Sequence, residues 1–106
     1  MKIRIKENSF IARLAAAKLG SKKVAIVFGT TIHLHNTRRE DFLEDKLWVC
    51  HELKHVEQYQ KHGYLIFPIK YFIEWVRRGY YKNKFEVEAR ENEKNTLLLS
   101  KAMFFK

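Results

Sequence analysis

The chain has 106 residues, 46% hydrophobic and 31% charged, a balance that suits one globular domain (1–106) and excludes a long low-complexity tract. Its single cysteine, Cys50, excludes an internal disulfide and a cysteine-rich zinc ribbon. The net charge of +9 is uneven: residues 1–40 carry nine Lys/Arg against two Glu, and residues 41–106 carry twelve against ten.

In chain order, Met1–Lys6 puts Ile3 and Ile5 on one side and Lys2, Arg4 and Lys6 on the other, the period of a half-buried strand. Residues 9–19 predict a short amphipathic helix with Phe10, Leu14 and Ala17 as its stripe and Gly20 as its stop. That segment is short and is interrupted by Arg13 and Lys18, unlike a secretory core or a membrane span. The expectation is a cytoplasmic protein with no targeting segment and no membrane span. Val24–Phe28 and Thr31–His35 flank Gly29-Thr30 and predict a tight hairpin. In its second strand Ile32 and Leu34 share one face, and Thr31, His33 and His35 share the other.

Thr37-Arg38-Arg39-Glu40 has the pattern of a capping box, from which a long helix is expected to run to His62 and stop at Gly63. A second helix is expected from Pro68 to about Gly79, with Phe72, Trp75 and Val76 turned to the core. A last helix is expected over Lys84 to Ala102, introduced by Asn83. Tyr71, Phe72, Trp75, Tyr80 and Tyr81 lie among five cations, a mixture that can stack and bind nucleotides. Helical spacing argues instead for core packing beneath snorkelling cations, which makes nucleic acid an unlikely partner.

His51-Glu52-Leu53-Lys54-His55 spells H-E-x-x-H in the middle of the long helix. Residues i and i+4 lie one above the other on a helix, so the two imidazoles can share one metal ion, and Glu52 can take a proton from a water there. A catalytic zinc ordinarily has three protein ligands. The third must come from further along, where Glu86, Glu88, Glu91 and Glu93 are the carboxylates. Glu86 has two readings of equal weight: a ligand, or the glutamate of a capping box begun by Asn83. His33 and His35, two apart on a strand, point the same way; they are read as solvated or lining a cleft rather than as a second metal site. Cys50 is read as a small core residue.

H-E-L-K-H followed by F-E-V-E-A resembles the gluzincin branch of the zincin metallopeptidases. More closely, A-I-V-F-G-T-T-I-H-L, H-E-L-K-H-V-E-Q and N-K-F-E-V-E-A together are similar to a family of small bacterial metallopeptidase-like domains, some associated with contractile injection systems. The likeness spans about residues 10–92. It implies His51, His55 and Glu86 as zinc ligands and Glu52 as general base, with Gln58 matching a glutamine of the family. Where many members have an aspartate after the E-x-E-A motif, this chain has Arg90, which cannot accept a hydrogen bond from a ligand histidine. Glu91 or Glu93 is the substitute.

The expected architecture is α+β: a small twisted sheet packed on helices, a minimal zincin fold with the metal between the central and last helices. The expected function is zinc-dependent hydrolysis of a peptide or protein substrate. Thr31–His35 is the candidate edge strand for an extended substrate, and His33, Tyr80 or Tyr81 are the candidate substrate contacts. The competing readings are a catalytically inactive zinc-binding structural or interaction module, and a basic nucleic-acid-binding module in which H-E-x-x-H is incidental.

Overall fold

The alternation of Ile3 and Ile5 with lysine and arginine builds β1 (Lys2–Lys6), whose two isoleucines are buried in the core. The computed structural model describes residues 1–105, and these form a mixed α+β fold. β2 (Val24–Phe28) and β3 (Thr31–His35) are the expected antiparallel hairpin. Gly29 takes a φ of 62° in its turn, a left-handed conformation that favours glycine. The sheet order is β2-β3-β1-β4, with β1 parallel to both of its neighbours. β3 is therefore an interior strand, paired on both sides. The free edge that Thr31–His35 was expected to offer belongs to β2.

Side-chain alternation divides the sheet's contacts. Ile3, Ile5, Val27, Ile32 and Leu34 face the main core with Leu53 and Val56 of the central helix. Val24 and Ile26 face α1 (Phe10–Leu19) with Ala12 and Ala16. Here the structure corrects the expected stripe: Phe10 and Leu14 are 69% and 56% exposed, while Ala12 and Ala16 are buried. Alanines let the helix backbone approach the sheet closely, and the larger residues are turned outward. Ser9 caps α1, accepting from the Ala12 amide.

The expected long helix is two helices. α2 (Arg39–Glu44) ends at Asp45, whose backbone is non-helical and whose carboxylate accepts from the Trp48 amide at 3.2 Å to start α3 (Lys46–His62). The Thr37 capping box does not form; the Thr37 hydroxyl is buried without a partner. Glu7 instead accepts from the Arg39 amide at 2.6 Å. α4 (Ile66–Lys82) holds Pro68 in its first turn and breaks at Gly79, where φ is 79° and ψ 174°. The last helix is also divided, into α5 (Lys84–Glu91) and α6 (Thr96–Lys101). The chain then enters β4 (Met103–Phe105) beside β1. Phe104 packs against the domain's own core.

Candidate metal centre

Asp45 sets where α3 begins and so the phase of its buried face. Glu52, Leu53, His55, Val56, Gln58 and Tyr59 are buried on that helix, and His51 is nearly so. His51 and His55, one turn apart, bring their ring centroids to 5.1 Å. α5 packs on both α3 and α4. Ala89, fully buried one turn beyond Glu86, leaves room for that approach.

The two readings of Glu86 separate here. Asn83 does cap α5, but its side chain accepts from the Phe85 amide at 2.9 Å, and its own amide donates to the Tyr80 carbonyl. The Glu86 carboxylate turns away from the cap and into the space between the imidazoles. Its Oε1 is 2.9 Å from His51 Nε2 and its Oε2 is 3.2 Å from His55 Nε2. One atom from each of the three residues lies within 4.8 Å of the others, so this group can hold a metal ion.

Each imidazole is held from behind. His51 Nδ1 is 2.9 Å from Glu93 Oε2. His55 Nδ1 is 2.8 Å from Gln58 Oε1. The Gln58 amide nitrogen donates to the Phe85 carbonyl at 3.1 Å and to Glu88 at 2.7 Å. Both of those partners only accept, so the amide oxygen must face His55. Both Nδ1 atoms therefore donate outward, and in the neutral rings both Nε2 lone pairs point at Glu86.

Lone pairs facing a carboxylate repel unless a proton or a cation lies between them. Burial pulls both histidines toward the neutral form, but the hydrogen bonds and charge of Glu86, with Glu93 adding to them at His51, outweigh it and raise both pKa values. The same exchange works on Glu86: burial would raise its pKa, and the two histidines and Tyr71 hold it well below the usual carboxylate range. Two imidazole nitrogens and one carboxylate oxygen are a donor set that can hold a divalent metal ion.

Glu52 is buried beside the group, and burial raises its pKa to about 8, with Glu86 adding to the effect and His55 opposing it. It lines a cavity of about 280 Å³ together with His51, His55 and Glu86. The walls are apolar: the whole of β2 on one side, Phe67, Tyr71, Phe72 and Trp75 of α4 on another, and Ala15 and Leu19 of α1 at the rim.

Tyr71 was missed in the sequence, where it reads as one more core aromatic. Its hydroxyl donates to Glu86 Oε2 at 2.5 Å, and burial with the Glu86 charge pushes its pKa far above the ordinary phenol value. Tyr80 lines the cavity, and burial and Glu86 likewise raise its pKa. Tyr81 does not line it; it is 71% exposed and lies under the Arg90 guanidinium, 4.0 Å from its ring centroid. His33 is also apart from the group. It is buried on the α1 side of the sheet, 2.8 Å from Ser9 Oγ and edge-on to Phe28. Burial and Lys6 lower its pKa. Alternation along β3 sends it to the face opposite Ile32 and Leu34. Cys50 is a buried free thiol in the core.

No protein-family model, no curated protein and no solved structure matches the chain. Among the described residues no helix is long and apolar enough to cross a membrane.

Proposed function

We propose that this protein is a zinc-dependent metallopeptidase of gluzincin type, with His51, His55 and Glu86 as ligands and Glu52 as general base. The observation that carries the reading is the convergence of Glu86 on both imidazoles while each Nδ1 donates elsewhere. Bound there, zinc would polarise a peptide carbonyl and acidify a water molecule.

This chain's own residues supply the rest. Glu52, in its ionised form, accepts the proton of the attacking water and returns it to the departing amine. Its place on the cavity wall beside His51, His55 and Glu86 puts the carboxylate within the same space as a water held there. Glu93 and Gln58 hold the imidazoles in one tautomer and one orientation. The Tyr80 hydroxyl, on the cavity wall, is the candidate donor to the developing oxyanion. β2 presents the unpaired edge along which an extended peptide can add as a further strand.

The test combines zinc titration with cleavage of a mixed peptide library followed by mass spectrometry. Zinc uptake near one per chain, lost in His51→Ala and retained in Glu52→Gln, is expected, with cleavage lost in both variants. Zinc uptake without cleavage by the native chain would leave a metal-binding module that is not an enzyme. No zinc uptake would remove the whole reading.

A further inference from the structure

α4 shows to solvent the residues that a helix of a globular domain ordinarily buries. Leu65, just ahead of it, and Ile69, Phe72, Ile73 and Val76 are 84, 56, 62, 49 and 70% exposed. At 100° per residue they form one stripe about 100° wide along the helix. The expectation that Phe72 and Val76 pack in the core is thus corrected. Phe67 and Glu74 occupy the buried side instead.

Charge is sorted around this stripe. Lys70 and Arg77, two turns apart, border it on one side, and Arg78, Lys82 and Lys84 follow toward its C-terminal end. Glu74 is the one acid between Gly63 and Asn83, and it is buried, 3.4 Å from Arg78 and accepting from the Lys84 amide. Every exposed charge from Gly63 to Lys84 is therefore positive. Across the mouth of the cleft, Lys18 and Leu19 of α1 repeat the pairing of cation and exposed apolar side chain.

We propose that this face docks on an anionic lipid bilayer, with α4 lying in the headgroup plane and its apolar stripe inserted. The stripe supplies the apolar contact, and the cations match the negative headgroups, with lysine and arginine stems reaching back along the apolar surface. Tyr64 and Tyr81, 53% and 71% exposed at the two ends, have the amphipathic character of residues at a lipid boundary. A second copy of the chain fits poorly, because a two-fold contact would set like charges against one another. The docking goes beyond the metallopeptidase reading and does not depend on it.

Co-sedimentation of the whole chain with phosphatidylcholine vesicles, and with vesicles containing about 30% phosphatidylglycerol, tests the proposal. Binding to the anionic vesicles is expected, and the combined variant Ile69→Ser, Ile73→Ser, Val76→Ser should lose it while keeping its thermal melt. Removing Lys70, Arg77 and Lys82 together as glutamines should weaken binding on the order of a hundredfold. The same number of charges removed at Lys2, Lys22 and Lys23 should matter far less. Absence of vesicle binding, equal binding by the serine variant, or equal loss from the remote charges would overturn the proposal. So would self-association abolished by the serine variant with no vesicle binding, which would give the surface to a second copy.

Discussion

Glu93 Oε2 accepts from His51 Nδ1 at 2.9 Å, although the two residues are 42 positions apart and Glu93 lies just past the end of α5. Arg90, three residues earlier, takes no part in this contact: its guanidinium turns away to the Tyr81 carbonyl and ring. The hydrogen bond that orients His51 thus comes from Glu93, three residues beyond Arg90. Glu93→Gln keeps an acceptor but removes the charge, and Glu93→Ala removes both. Zinc affinity by competition with a chelator should fall about 10- to 100-fold in Glu93→Ala and less in Glu93→Gln. Equal affinity in all three proteins would show that Glu93 does not hold the imidazole.

Gln58 does the corresponding work at His55 and is almost fully buried. Replacing it with leucine, close to it in size, would leave His55 Nδ1 and Glu88 without their partner. Such losses cost about 1–3 kcal/mol each when the groups stay dry. Gln58→Leu should therefore lower the unfolding free energy in urea by an amount of that order and weaken zinc binding as well. Gln58→Glu keeps an acceptor toward His55 but sets a second carboxylate beside Glu88. It should retain more zinc affinity than Gln58→Leu, and the reverse ranking would contradict the orienting role.

The parts of the fold read correctly from sequence are those that local chemistry decides. Alternation sufficed for β1, a glycine turn for the hairpin, and i, i+4 spacing for the shared face of His51 and His55. Gln58 also lay within reach, since i+3 neighbours meet on a helix. What sequence left undecided depends on tertiary approach. Asn83-x-x-Glu86 serves a cap or a ligand equally well until α5 is laid against α3. The phase of Glu93 is set by the turn that ends α5, not by helical spacing from Glu86. On α1, helical spacing favoured Phe10, Leu14 and Ala17 for the core, but all three are exposed, and the close seat on β2 buries Ala12 and Ala16 instead. β4 was hidden because three residues after a helix carry too little periodicity to separate strand from helix.

Asp45 is where the expected continuous helix divides, and it fixes the start of the helix that bears His51 and His55. Among the described residues, its carboxylate is the one side-chain acceptor for a first-turn amide of α3. Asp45→Ala should cost about 0.5–2 kcal/mol in denaturant unfolding, in the ordinary range for a lost helix cap. Asp45→Asn should recover most of it, because the amide oxygen can still accept. A loss under a few tenths of a kcal/mol in the alanine variant would mean that tertiary packing alone holds the break between α2 and α3.

The metal-free protein should be most stable in mildly acid solution, and zinc should reverse that trend. His51 and His55 have raised pKa values, so their pairing with Glu86 is fully present below the unfolded histidine value of about 6.5 and is lost as pH rises through the raised values. Glu52, raised to about 8, acts in the same direction: the unfolded carboxyl ionises near 4.5, the buried one resists, and stability falls between those values. Glu86 has the opposite sign, since its depressed pKa gives stability above about 4.5 that is lost on acidification. Together these place the maximum for the chelated protein near pH 4.5, where Glu86 is already ionised and Glu52 has not yet begun to cost stability. Zinc requires neutral imidazoles and an ionised Glu86, so its stabilising effect should grow as pH rises toward 8. Thermal melts at pH 5, 6, 7 and 8, with chelator and with excess zinc, should diverge progressively toward the alkaline end. Parallel curves with a constant offset would mean that the added zinc binds away from these histidines.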